Sequence, residues 1–284
     1  MIDKPSDKKT TKKVRLDQFL VERQMAESRS RALAMIMAGS VRVNDVVISK
    51  AGTKIPADAD VTVAEKNPYV SRGGKKLAGA LDHFGIDPSG MVIMDAGAST
   101  GGFSDCLLQR GAAKVFAVDV GYGQLRPKVA DDPRVTVMDR TNVRHLTASD
   151  LGQPMDMIVG DLSFISLSLV LPALVGLIGP KGQMVLLVKP QFEVGRGKVG
   201  KGGIVRDPAL HESAISSVVE AAAESGMELL DRVTSSITGA KGNVEFLIHL
   251  ARATTPATET APAMETNTEP KTPDGGERVI GNTQ

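Results

Sequence analysis

Met91-Val92-Ile93-Met94-Asp95-Ala96-Gly97-Ala98-Ser99-Thr100-Gly101-Gly102-Phe103 is an apolar run that reaches an acid, turns through a glycine-rich loop and enters a helical pattern. A short apolar run bounded by turn residues reads as a strand buried on both faces. Four more such runs follow. Val115-Phe116-Ala117-Val118 ends on Asp119, Val135-Thr136-Val137-Met138 on Asp139, Met157-Ile158-Val159-Gly160 on Asp161, and Met184-Val185-Leu186-Leu187-Val188 on Lys189. Strands that alternate with helical patterns predict a parallel α/β sheet, and such sheets hold ligands outside the carboxyl ends of their strands. The five charges fall at that edge, so one cleft is expected there.

The chain has 284 residues, 42% of them hydrophobic, enough for one substantial α/β domain and a smaller module. Its net charge of +1 hides an asymmetry: residues 1–76 hold 16 Lys or Arg against 9 Asp or Glu, and the remainder 18 against 24. A basic module on an acidic body points to a polyanionic partner, nucleic acid first. Cys106 is the only cysteine, which excludes internal disulfides and cysteine-rich zinc sites and suggests a reducing compartment. His83, His145, His211 and His249 are widely spaced and form no metal-ligand pattern, so no metal is expected. Met1 to Lys13 is charged throughout and lacks the apolar core of a signal peptide, while the apolar stretch from Ile165 to Ile178 is too short to span a bilayer. A cytoplasmic protein without membrane contact is expected.

Outward from the central runs, residues 1–13 read as a disordered basic leader and 14–66 as a compact module. In the module, helical patterns start at Leu16 and at Ser28, which is available as an N-cap, and Gly39 ends the second. Val41 to Ile48 alternates around Asn44-Asp45, a hairpin signal, and Val61-Thr62-Val63 supplies another strand. Residues 67–74 read as a connector and 75–252 as the large domain, with helices at 75–84, 103–109, 165–177 and 208–225 and final strands at 229–237 and 244–250. Residues 253–284, rich in Thr, Pro, Ala and Glu, bury too little apolar surface to order themselves.

The loop's chemistry narrows its ligand. Ser99 stands where a dinucleotide loop has its middle glycine, no Lys-Ser or Lys-Thr pair follows, and Asp95 adds negative charge, so a phosphate-bearing ligand is poorly served. S-adenosylmethionine suits the loop better: it has no phosphate, its sulfonium is cationic, and its ammonium can pair with Asp95. Gly97, Ser99, Thr100, Gly101, Gly102 and Phe103 would form the turn around it, Asp119 would accept the ribose hydroxyls, and Asp139 would lie near the adenine. A structural turn with strand-end aspartates as helix caps, or NAD or FAD binding, are the competing readings.

A methyl transfer needs a nucleophile in line with the donor. Cytosine-C5 methylation needs a cysteine beside the substrate, whereas Cys106 falls in the helix after the loop. Base amino methylation commonly uses a Pro-Pro-aromatic segment, whereas Asp161 is followed by Leu162-Ser163-Phe164. A hydroxyl acceptor remains. It must be oriented and relieved of its proton, which a lysine tuned by burial or cationic neighbours can do. Lys189 is placed for that task, with Asp161 to hold it.

Arg15-Leu16-Asp17, Ser30-Arg31-Ala32, Ala38-Gly39 and Val41-Arg42-Val43-Asn44 are similar to the RNA-binding domain of small ribosomal subunit protein four, and the large part resembles the FtsJ-type fold. Together, from about Val14 to Leu250, the chain resembles the TlyA group of ribosomal RNA ribose methyltransferases, some of which carry the name hemolysin. The resemblance implies a Rossmann-like class I methyltransferase sheet with a small α+β RNA-binding domain. It also implies a Lys-Asp-Lys-Glu tetrad on Lys76 of Ser71-Arg72-Gly73-Gly74-Lys75-Lys76-Leu77, Asp161, Lys189 of Val188-Lys189-Pro190-Gln191-Phe192-Glu193, and Glu245 of Gly242-Asn243-Val244-Glu245-Phe246. The implied product is 2′-O-methylcytidine in the large ribosomal subunit and, for forms with a basic leader, the small one as well.

Arg15, Arg29, Arg31, Arg42, Lys50 and Lys54 of the module are expected to follow RNA phosphates, with Arg72 at the domain junction. Arg196 and Lys198, in the flexible glycine-rich run Gly195 to Gly203, are expected to close over the RNA backbone. With 3% aromatic residues, recognition by shape and backbone is favoured over base stacking. Phe164 or Phe192 would support one flipped nucleotide, but core packing is the expected role of each. Two further readings stand beside the enzyme: an inactive methyltransferase fold serving ribosome assembly, and a membrane-active toxin.

Overall fold

The computed structural model describes residues 12–64 and 67–253; the leader over 1–11 and the tail over 254–284, both expected to be disordered, lie outside the described residues. The N-terminal module is built on β1 (Lys13–Arg15), α1 (Leu16–Glu22), α2 (Arg29–Met37), β2 (Val41–Val43), β3 (Val46–Val47), β4 (Lys54–Pro56) and β5 (Val61–Val63). Ser28 caps α2 by accepting from Arg31 N–H, as its position in the sequence suggests. Asn44 and Asp45 both have positive φ, 48° and 63°, the backbone a two-residue hairpin turn requires. The resulting β3-β2-β5 sheet is joined by a β1–β4 pair that the sequence reading missed. Leu16, Phe19 and Leu20 of α1 meet Ala32 and Ile36 of α2 and Val41, Ile55 and Val61 of the strands in one buried cluster.

The large domain runs α3 (Gly73–Phe84), β6 (Val92–Ala96), α4 (Gly102–Gln109), β7 (Lys114–Val118), α5 (Pro127–Ala130), β8 (Val135–Met138), α6 (Ala148–Leu151), β9 (Met155–Gly160), α7 (Leu171–Leu177), β10 (Ile178–Val188), α8 (Pro190–Glu193), α9 (Pro208–Glu224), β11 (Met227–Thr234) and β12 (Phe246–Arg252). Seven strands form one sheet in the order β11-β12-β10-β9-β6-β7-β8. The five runs read from sequence are parallel, and β12 enters antiparallel between β10 and β11. The chain winds outward from β6 to β8 and then restarts at β9 on the other side of β6. That switch point is where a crevice opens in such sheets.

Alternation explains why the runs are continuously apolar. Met94, Ala96, Val118, Ile158, Met184 and Leu186 point to one face, under α7 and α9, while Ile93, Val115, Met157, Val159, Val185 and Leu187 point to the other, under α3 and α4. Both faces are covered, so no polar side is needed. Two expectations change. The helix expected over 165–177 begins at Leu171, preceded by a short 3-10 turn at Leu167–Leu169, because Pro172 fits only the first turn of a helix. The connector 67–74 is fastened to the domain: Val70 N–H donates to Asp105 Oδ2, Gln109 Nε2 to the Pro68 carbonyl, and α3 already starts at Gly73.

Candidate active site

Asp119, Asp139, Asp161 and Lys189 are each the first residue after a strand, so the sheet delivers them to its carboxyl edge. Asp95 differs. It lies inside β6, and the alternation that sends Met94 to one face turns Asp95 to the other, beneath α4. Its side chain is fully buried, Oδ2 accepts from Ser104 N–H at 2.9 Å and Ser104 Oγ at 2.6 Å, and Oδ1 has no partner. Burial pushes its pKa up to about 7, against the lowering by Ser104 and with a further rise from Asp161. Asp95 thus lines neither hollow of the carboxyl edge, and its Oδ2 ties the loop's helix to β6.

This gives a stability prediction. The folded protein keeps Asp95 protonated between about pH 4, where an unfolded aspartate titrates, and about 7, so it binds more protons than the unfolded chain in that window. Asp95's contribution to stability therefore falls as pH rises from 4 to 7. Thermal melts of the protein and of Asp95→Asn across this range should show the downward slope flattened in the variant; equal slopes would contradict it.

The loop itself opens the cleft. Gly97 has φ +85°, and a Cβ there would lie 3.1 Å from the Asp161 carbonyl, so glycine lets β6 and β9 part at close range. Ser99 adopts φ +47°, and its N–H donates to Asp119 Oδ2 at 2.8 Å while Gly121 N–H donates to Oδ1 at 2.7 Å. A hollow of about 450 Å³ is lined here by Gly97, Ser99, Asp119, Asn142, Val143 and Leu162. Asp139 is not part of it: its Oδ2 accepts from Gly123 N–H and fastens the loop after β7. Gly101 packs against Leu125 and Val129 and lines neither hollow.

Sharing Gly97, Ser99 and Asp161 with that hollow is a larger cleft of about 640 Å³, which Thr100, Gly102 and Phe103 also line. Two ion pairs face into it, both built on buried lysines. Lys189 Nζ lies 2.6 Å from Asp161 Oδ1 and donates to Ser163 Oγ at 2.7 Å. Lys76 Nζ lies 2.5 Å from Glu245 Oε2, joining α3 to the start of β12. Lys75 is the half-buried neighbour whose carbonyl accepts from Ser236 Oγ, so the lysine in the cleft is Lys76. The two pairs, whose partners stand 28 and 169 residues apart in sequence, thus meet in one cleft.

Sequence reasoning missed several lining groups. Ser163 and Gln191 are neutral and carry no periodic signal, although each stands two residues from a charge that was read. Asn243 is buried and works as a latch: its Oδ1 accepts from Val205 N–H and its Nδ2 donates to the Gly203 carbonyl. The loop expected to be flexible is thus tied at its far end, beside a Gly200–Ile204 bridge. Phe164 overturns the expectation of core packing: its φ of +65° turns the ring outward, 92% exposed, against Phe192 at a centroid distance of 5.3 Å. Cys106 is buried, and its thiol is pushed up to about 11 by that burial, so it offers no nucleophile.

In the N-terminal module, Asp17 is buried beneath two arginines. Arg15 donates to it from Nε and a terminal nitrogen, each at 2.9 Å, and Arg29 at 3.2 Å. Their hydrogen bonds, Arg15 foremost, hold the Asp17 pKa down to about 2. Arg31, Arg42, Lys50 and Lys54 are exposed, and Arg42 donates to the Asp45 carbonyl. Arg72 is exposed and lines the larger cleft. Lys198 is exposed, whereas the Arg196 side chain lies outside the described residues.

Comparison with known proteins bears on this geometry. The model of the FtsJ-like methyltransferase family matches residues 69–252, and that of the S4 domain matches residues 14–61. The 16S/23S rRNA (cytidine-2′-O)-methyltransferase TlyA of Mycobacterium tuberculosis is 46% identical over 245 residues, 86% of this chain and 91% of that protein. The chain belongs to the TlyA family of FtsJ-like methyltransferases. Hemolysin A of Brachyspira hyodysenteriae, 40% identical over 83% of this chain and 99% of its own length, is a further relative of this TlyA-family chain. A solved structure from Streptococcus thermophilus, provisionally described as a hemolysin, shares 41% identity and a TM-score of 0.68, covering 87% of this chain and 91% of the other. Among the described residues no helix is long and apolar enough to cross a membrane. The two ion pairs occupy the positions that the family resemblance assigned to the tetrad.

Proposed function

We propose that this TlyA-family enzyme moves a methyl group from S-adenosylmethionine to the 2′-oxygen of a cytidine in ribosomal RNA, of the large subunit and also of the small one. The observation that carries the reading is the meeting of two lysine–carboxylate pairs in one cleft, both lysines buried, beside the glycine loop and without a thiol. Acceptors and amines at that density suit the deprotonation of a hydroxyl.

The residues fit the donor. Each oxygen of Asp119 already accepts one backbone N–H and keeps capacity for another donor, as two ribose hydroxyls require. Val143 and Leu162 give the adjoining hollow an apolar wall for adenine, and the loop offers no lysine for a phosphate. When bound, the donor supplies a sulfonium-activated methyl. Lys189, oriented by Asp161 and Ser163, would direct the 2′-hydroxyl toward the donor's methyl and, with its ammonium proton first released to solvent, would receive the hydroxyl proton as that oxygen is methylated. Asp161 then holds the resulting ammonium. Lys76 and Glu245 fix the opposite charges of the shell at the start of β12. Purified protein, a donor with labelled methyl and ribosomal subunits from cells lacking the gene test the reading: label is expected on a ribose, and label on a base, or none, would refute it.

The module supplies the RNA grip. Asp17 fixes the Arg15 and Arg29 guanidiniums side by side, each with N–H groups left for phosphate. Asp17→Asn makes the module more basic, so charge alone predicts tighter RNA binding. Positioning by Asp17 predicts the reverse, at least about threefold weaker binding, since two pre-ordered arginines lose their anchor. Binding of the intact variant to ribosomal subunits, with its melting temperature as control, separates the two.

A further inference from the structure

Gln191 is a polar group of the cleft that the mechanism leaves unused. It stands on α8, two residues after Lys189, lines the larger cleft, and its Oε1 is shut off from solvent with no hydrogen-bond partner among the described residues. A buried acceptor without a donor destabilises the fold, and an apolar side chain of similar size would remove the penalty. Nothing in the described protein repays it.

The neighbours indicate which donor is missing. Lys189 lies before Gln191 and Phe192 directly after it, with the exposed Phe164 ring 5.3 Å from that of Phe192. An internal nucleotide of an RNA chain offers two kinds of hydrogen donor, its 2′-hydroxyl and its base edge; its other oxygens only accept. The hydroxyl proton goes to Lys189. The base edge remains.

We propose that Gln191 reads the base of the target nucleotide, Oε1 accepting from the 4-amino group of cytosine and Nε2 donating to ring nitrogen N3. Uracil carries a carbonyl oxygen at position 4, which opposes Oε1 instead of satisfying it. The last torsion of a glutamine is broad, so rotation about Cγ–Cδ can turn the amide oxygen and nitrogen toward a base in the cleft that the side chain already lines. The inference rests on the ribose-methylation reading and adds to it a selector for the base.

Single-turnover methylation by the full chain tests it, on subunits from cells lacking the gene that carry either cytidine or uridine at the modified position. The unaltered protein should be at least about tenfold slower on uridine, the discrimination expected of one good base contact. Gln191→Leu should be about tenfold slower than the unaltered protein on cytidine, with cytidine and uridine differing by less than about threefold. Its melting temperature should be equal or higher, and its affinity for S-adenosylmethionine within about twofold, because the lost contact belongs to the RNA. A variant as fast as the unaltered protein, one that keeps the cytidine preference, or one whose lost rate follows lost stability or donor affinity would overturn the proposal. Absence of any ribose methyl with the unaltered protein would overturn the methylation reading and this selector together.

Discussion

Lys189→Ala should lower ribose methylation by about a thousandfold, within the range that a positioned proton acceptor supplies, while affinity for S-adenosylmethionine and for ribosomal subunits stays within a few-fold. The lysine's contacts explain the separation. Its ammonium touches Asp161 and Ser163, which the Asp119 hollow also meets, but the lysine itself lines only the larger cleft, and the Asp17 arginine fork is built from other residues. Quench-flow rates with saturating donor, alongside equilibrium binding of both substrates, provide the check. An inactive fold serving only ribosome assembly predicts no rate to lose and an unchanged ribosomal role; a variant with near-full methylation would remove Lys189 from the chemistry.

Lys76→Met should be the most destabilising of the charge substitutions in the cleft. Glu245 is 3% exposed, and removing its ammonium leaves a buried carboxylate without compensation, which costs about 3–5 kcal/mol. The pair of substitutions Lys76→Met and Glu245→Leu should recover most of that loss, because two apolar side chains replace both charges, yet methylation should remain low in both proteins. Denaturant unfolding read beside activity distinguishes the outcomes. If the double variant regained activity along with stability, the pair would be a structural tie between α3 and β12 and nothing more.

The contrast between the two lysine pairs shows what the chain discloses before it folds. Asp161 and Lys189 were legible because each follows an apolar run, and adjacent parallel strands must bring such residues together. Lys76 and Glu245 carry no local signal: one sits on a helix, the other before an antiparallel strand, and only the family resemblance joined them. Asp95 shows the limit of strand reading. Whether β6 stops at Met94 or Ala96 decides if that carboxylate faces the cleft or the helix layer, since a step of one residue reverses the side.

Short elements hide for a related reason. Lys13-Val14-Arg15 and Lys54-Ile55-Pro56 pair as β1 and β4, but each has one buried-type residue between charges or proline, too few to show a period. Phe164 misled for a conformational reason: an aromatic between Leu162 and Ile165 looks like core, and only the left-handed backbone at that residue turns it to solvent. The pH dependence of the arginine fork was equally invisible in sequence. With the Asp17 pKa held down to about 2, its stabilisation is fully present above about pH 4, the range where an unfolded aspartate is ionised, and is lost as pH falls toward 2.

Central to the account is that this cleft places methyl groups on riboses of ribosomal RNA. A nucleotide-resolution map of ribose methylation in cells lacking the gene, complemented with the natural chain or with Lys189→Ala, addresses it directly. The account predicts one or more ribosomal riboses methylated only with the natural chain, at cytidines. Identical maps in all strains, or methylation restored by Lys189→Ala, would contradict it.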